Sequence, residues 1–76
     1  MAHFSVRVLD HHGDPVEDIG VMIDYGFSVG TDEKRTDNDG WVEFHNRGER
    51  PGRIWVHGHD KGSQSLRDGK AYSFTV

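Results

Sequence analysis

The stretches VRVLDHHGDPVEDIGV (residues 6–21) and TDNDGWVEF (residues 36–44) decide the fold of this chain. Each joins an alternating apolar and polar run to a turn rich in Gly, Pro or Asp, which is how a small β-protein reads when its strands are half buried. Around them the same period of two recurs. Phe4, Val6 and Val8 alternate with Ser5 and Arg7, and Ile19, Val21, Ile23 and Tyr25 alternate with Gly20, Met22 and Asp24. Further on, Val42 and Phe44 alternate with Trp41, Glu43 and His45, Ile54 and Val56 with Trp55 and His57, and a last run carries Tyr72, Phe74 and Val76. None of these runs has the three-to-four spacing of a helix. Five strands are firm, and weaker ones near Phe27–Thr31 or Glu33–Thr36 and near Ser63–Leu66 bring the expected number towards seven.

The turns agree. Pro15 has no N–H to give a ladder, so the chain leaves the sheet after Asp10–Asp14. Asp39-Gly40 is a hairpin signal, because glycine accepts the positive φ that tight turns require. Gly48–Gly52 and Asp60–Gly62 are expected to break the later strands in the same way. No linker, low-complexity tract or internal repeat interrupts the pattern, so residues 1–76 read as a single domain.

Size and composition bound what such a domain does. At 76 residues the core is small, since a chain of roughly 60 residues buries only about 60% of the surface it exposes unfolded. Cysteine is absent, which rules out disulfides and thiolate metal sites. The formal net charge is −4, from 13 acidic against 9 basic side chains, and the bases are scattered, which argues against nucleic acid as a partner. No apolar run approaches the roughly 18 residues of a membrane span, so no membrane partner is expected. MAHFSVRV lacks the basic head and apolar stretch of a signal peptide. Alternation begins by Phe4, so the chain reads either as a free-standing protein or as one domain of a longer one.

VRVLDHHGDPVEDIGVMI, followed by the T-D-x-D-G-x-V-x-F hairpin and the strand GRIWVHG, resembles the carboxypeptidase regulatory-like and transthyretin-like (prealbumin-like) β-sandwich superfamily over nearly the whole chain. The resemblance implies an all-β, small Greek-key β-sandwich of about seven antiparallel strands, and an accessory or binding module without catalysis. The chemistries attached to relatives of this frame do not transfer. Hydroxyisourate hydrolases carry a Tyr-Arg-Gly-Ser tail where this chain has Tyr72-Ser73-Phe74-Thr75-Val76, and isopeptide-forming adhesin repeats need a first-strand Lys where Arg7 stands, and a last-strand Asn that is missing. Related dioxygenases need paired Tyr and His iron ligands, whereas Tyr25 and Tyr72 fall on core faces.

Other candidate chemistries are thin. Aligning Gly40 with the glycine of a calcium loop puts Arg35 at the first ligand position and Asn46 at the last, a cation and an amide where carboxylates belong. No serine lies in a nucleophile-elbow motif, and Glu17 and Asp18 sit in a turn away from any apolar pocket that would raise a carboxyl pKa. Neither an enzyme nor a cofactor is expected.

Two groups of residues remain as binding candidates. With Val42, Phe44, Ile54 and Val56 facing the core, Trp41 and Trp55 must face outward, and an outward indole either anchors a protein contact, stacks on a sugar ring or lies over a long side chain. Six histidines are present. His57 and His59, two apart on a strand, present two imidazoles to a zinc-like metal ion with His45 or Asp60 as a possible third ligand, while a solvated pair at a strand end is the plainer reading. The leading expectation is a non-enzymatic module that contacts another protein or its own copies, or acts as a structural spacer. The alternative is a carbohydrate- or metal-binding module using Trp41 and Trp55, or His57 and His59.

Overall fold

The computed structural model describes residues 2–26, 30–46 and 51–76. Seven strands form two sheets, and the described residues contain no helix: β1 (Ala2–Leu9), β2 (Gly20–Asp24), β3 (Thr31–Arg35), β4 (Trp41–Asn46), β5 (Pro51–Val56), β6 (His59–Ser65) and β7 (Ala71–Thr75). One sheet has three strands in the order β4-β1-β7, the other four in the order β3-β2-β5-β6. The architecture is a small β-sandwich. The expected strand at Phe27–Thr31 falls largely outside the described residues, as does most of the expected turn at Gly48–Gly52.

Alternation builds the core. Phe4, Val6, Val8, Val42 and Phe44 from the three-stranded sheet meet Val21, Ile23, Ile54 and Val56 from the four-stranded sheet, and Leu66, just past β6, completes the cluster. Phe4 and Phe44 stack with ring centroids 5.5 Å apart, and Tyr72 meets Phe4 edge-on at 6.1 Å, geometries that aromatic quadrupoles favour. Gly52 makes room for Leu66: a Cβ there would lie 2.7 Å from Leu66 Cδ1. Ile19, Tyr25, Tyr72 and Phe74 are partly buried against this cluster, while Val76, beyond β7, is 40% exposed and does not join the core.

Not every pairing is antiparallel. β1 pairs antiparallel with β4 but parallel with β7, through Ser5↔Ala71 to Leu9↔Thr75. Parallel neighbours need a long crossover, and here all the intervening chain supplies it, passing to the four-stranded sheet and back twice. The first and last strands thereby become neighbours.

The later turn also differs from expectation. β5 and β6 are joined at His57-Gly58, with φ of 52° and 79°, the pair of positive values that a two-residue hairpin uses. Asp60–Gly62 lies inside β6 as a bulge, where the register slips between Arg53↔Ser63 and Trp55↔Asp60. The positive φ of Gly62, 92°, serves the extra residue of a bulge as well as it would serve a turn.

At both sides of the sandwich the sheets are tied by side chains. Lys34 Nζ of β3 donates to the Glu43 carbonyl of β4 at 3.0 Å, Lys61 Nζ of β6 to the Thr75 carbonyl of β7 at 3.2 Å, and the Tyr72 hydroxyl to the Ser65 carbonyl. Edge carbonyls are thereby occupied by the chain itself, which lessens their availability to a foreign strand.

Candidate functional site

The outer face of the three-stranded sheet carries the densest group of recognition side chains. Because Phe4, Val6 and Val8 point inward, β1 turns His3, Ser5 and Arg7 outward, and β4 turns Trp41, Glu43 and His45 outward by the same parity. The β1–β4 register then sets them in rows: His3 opposite His45, Ser5 opposite Glu43, Arg7 opposite Trp41. Directly opposed residues on an antiparallel pair lie close enough for their side chains to interact.

They do interact. The Arg7 guanidinium lies 5.2 Å from the Trp41 ring centroid, within cation–π range, and Arg7 Nε also donates to the Asp39 carbonyl at 3.4 Å. His3 and His45 meet edge-on with ring centroids 4.1 Å apart, and His3 Nδ1 lies 3.5 Å from Glu43 Oε1. One ligand atom from each of His3, Glu43 and His45 falls within 4.8 Å of the others. The peptide of His3 is held on both sides, its N–H donating to Asp68 Oδ1 at 2.9 Å and its carbonyl accepting from the Gly69 N–H at 2.7 Å.

The two indoles lie apart. Trp41 is on β4 of the three-stranded sheet and Trp55 on β5 of the four-stranded sheet, so they look out from opposite sides of the sandwich and share no surface. Both are half-buried. Trp41 is covered by Arg7, and Trp55 stands between its register partners Met22 and Asp60 with its Nε1–H buried and unpartnered among the described residues.

The histidines are partitioned as well. His57 occupies the hairpin turn, where strand alternation no longer governs direction, and its ring centroid is 6.3 Å from that of His59. His45 belongs to the other sheet. Among the described residues no third ligand joins His57 and His59, whereas His45 gathers His3 and Glu43. Of these last three residues the sequence reading singled out His45 alone; His3 and Glu43 were missed, because the β1–β4 register that brings His3 across from His45 is not local information.

One acidic turn explains the residues that resembled a calcium loop. Asp37 Oδ1 accepts from the Asp39 and Trp41 N–H groups at 2.9 and 3.0 Å, so this carboxylate organises its own turn, which links β3 of one sheet to β4 of the other and is not the hairpin expected at Asp39-Gly40. Thr36, buried beside it, donates its hydroxyl to the Val16 carbonyl at 2.7 Å and accepts from the Ile19 N–H at 3.0 Å. Elsewhere, two titratable groups are displaced from their ordinary range. The Gly62 N–H holds Asp60 below its ordinary carboxyl range against the opposing effect of burial, with Arg53 lowering it further, while burial, and then the nearby charge of Asp32, push the Tyr25 phenol up.

A scan against protein-family models, a search of curated proteins and a search of solved structures each find no match for this chain.

Proposed function

We propose that the domain is a non-enzymatic β-sandwich module that works by contact, holding or spacing another protein or a second copy of itself, and that the outer face of the three-stranded sheet is its working surface. The observation that carries this reading is the pairing of Trp41 with Arg7 at 5.2 Å beside His3, Glu43 and His45. Trp and Arg are the side chains that most often dominate protein interfaces. Here both stand on rigid strands, where their positions are set before a partner arrives. The opposite face offers less, since Arg53 is already engaged by Asp60 at 2.6 Å. We also read the frame as carboxypeptidase regulatory-like or transthyretin-like. Its seven strands in two sheets and its paired Asp- and Gly-bearing turns support that kinship.

Site-specific photo-crosslinking tests the contact. A photo-reactive residue is placed at Ser5, in the middle of the proposed face, and in a second version at Met22, in the middle of the opposite one, in cells that express the chain. Discrete adducts are expected from position 5 and not from position 22, and Trp41→Ala should remove them. Adducts from position 22 alone, or from neither position, overturn the reading.

A further inference from the structure

We propose that His3, Glu43 and His45 bind a divalent transition-metal ion of the zinc class; this deepens the preceding reading, on which it rests, by naming a ligand for the same face. Two imidazoles and one carboxylate are a donor set that zinc-class ions favour over calcium or magnesium, which prefer oxygen alone. Their spacing suits such an ion. With bonds of about 2.0–2.2 Å, the donors of a tetrahedral zinc stand roughly 3.3–3.5 Å apart. His3 Nδ1 and Glu43 Oε1 are 3.5 Å apart, and no pair of the chosen ligand atoms exceeds 4.8 Å. All three side chains are exposed, so rotation about their χ angles closes the remainder without disturbing the core.

The backbone is already in place. His3 and His45 are register partners, and Glu43 lies two residues before His45 on the same face of β4. The Asp68 and Gly69 contacts clamp the His3 peptide from the far side, so binding has only side-chain freedom to fix.

A dication takes both imidazoles as neutral bases and the carboxylate as an anion, so that one ion engages all three side chains together. Three protein donors leave one position of a tetrahedral ion for water or for a donor from a partner. The metal would then lie within the contact face rather than beside it.

Zinc titration of the whole chain, followed by calorimetry and by NMR of the imidazole nitrogens, tests the site. One equivalent should bind, with the largest shifts at His3 and His45. His3→Ala, His45→Ala and Glu43→Gln should each weaken binding more than about tenfold, a loss that even outer-shell partners of a metal can cause. His57→Ala and His59→Ala should leave affinity unchanged. Thermal unfolding without metal should be alike in all five variants, and zinc should raise the midpoint of the parent and not of the first three. Shifts centred on His57 and His59, or on His11 and His12, overturn the proposal, as does zinc affinity that survives loss of His3. If zinc binding fails while crosslinks from position 5 persist, the metal falls and the contact face stands. If zinc binds as expected and no adduct forms at position 5, the reverse holds.

Discussion

Two loops of this domain are built to one design and placed in opposite surroundings. In Asp10–Asp14 and in Asp37–Trp41 the first residue is an aspartate and the fourth a glycine with positive φ, 84° at Gly13 and 78° at Gly40. In each, the first N–H donates to the fifth carbonyl and the fourth N–H to the first carbonyl, while the aspartate Oδ1 accepts from the third and fifth N–H groups. The surroundings differ. A Cβ on Gly13 would meet no atom within 4 Å, whereas a Cβ on Gly40 would lie 2.6 Å from the Val8 carbonyl oxygen and 3.2 Å from Pro15 Cβ. Gly40 also accepts from the Val8 N–H at 2.8 Å. Local chemistry therefore sets the loop conformation twice over, and tertiary packing decides how much that conformation matters.

Alanine at the two glycines should separate these effects. Both substitutions force a side chain into the left-handed region, at about 1–2 kcal/mol. Gly40→Ala adds a collision with backbone, and overpacking of this kind costs about 1–3 kcal/mol more. We expect Gly40→Ala to destabilise by about 3 kcal/mol or more and Gly13→Ala by about 1 kcal/mol. For a domain of this size each kcal/mol moves the thermal midpoint by about 4–8 °C, so calorimetry resolves the difference. Equal midpoints would break the comparison.

Thr36 stands next to the packed loop and has no counterpart beside the open one. Thr36→Val keeps the shape and deletes the hydroxyl, leaving the Ile19 N–H and the Val16 carbonyl without their partner. Stranding partly buried polar groups costs about 1–3 kcal/mol. Urea unfolding should show a lower midpoint with an unchanged slope. A loss below half a kcal/mol, roughly the level of an ordinary surface change, would mean that water replaces the hydroxyl and that the 16–19 segment is not locked by it.

Aspartate to alanine at positions 10 and 37 should behave alike. Each change frees two loop N–H groups in exposed surroundings, at about 1 kcal/mol. If Asp37→Ala costs much more than Asp10→Ala, the carboxylate contributes to docking against β1 as well as to the turn, and the single design divides into two.

What the sequence disclosed follows the same division between local and tertiary causes. Strands that bury one face, β1, β2, β4, β5 and β7, were legible from alternation alone. The two edge strands of the larger sheet were faint, because Thr31–Arg35 and His59–Ser65 bury little and so carry no period-two signal. Asp60-Lys61-Gly62 looked like a turn and forms a bulge, since both uses call for the same residue types. At the candidate site, parity along each strand was enough to turn Trp41, Trp55, Glu43 and His45 outward, while His3 lay ahead of the alternation read from Phe4. Which sheet each joined, and which residue it met across the ladder, depended on register between strands distant in sequence, and nothing local encodes that.

The smallest effect should come from the aspartate that lies in a bulge within β6 and in neither of the loops at 10 and 37. Asp10, Asp24, Asp37 and Asp60 all accept from the N–H two residues on, but only Asp60 adds a guanidinium, with Arg53 Nη1 at 2.6 Å. The Gly62 N–H holds its folded pKa below the ordinary 3.8 against the opposing effect of burial, and Arg53 lowers it further. A depressed carboxyl pKa gives stability that is fully present above the unfolded value and is lost as pH falls through the folded one. The contribution should therefore be intact above about pH 4 and fade below it. Asp60→Asn keeps the oxygen that Gly62 uses and removes the charge that titrates, so its acid limb should be shallower than that of the parent while the two agree in shape at neutral pH. Coincident acid limbs would show that Gly62 and Arg53 do not favour the ionised carboxylate in the folded chain. Asp60 would then be one more turn aspartate, set by the local chemistry that builds the loops at 10 and 37.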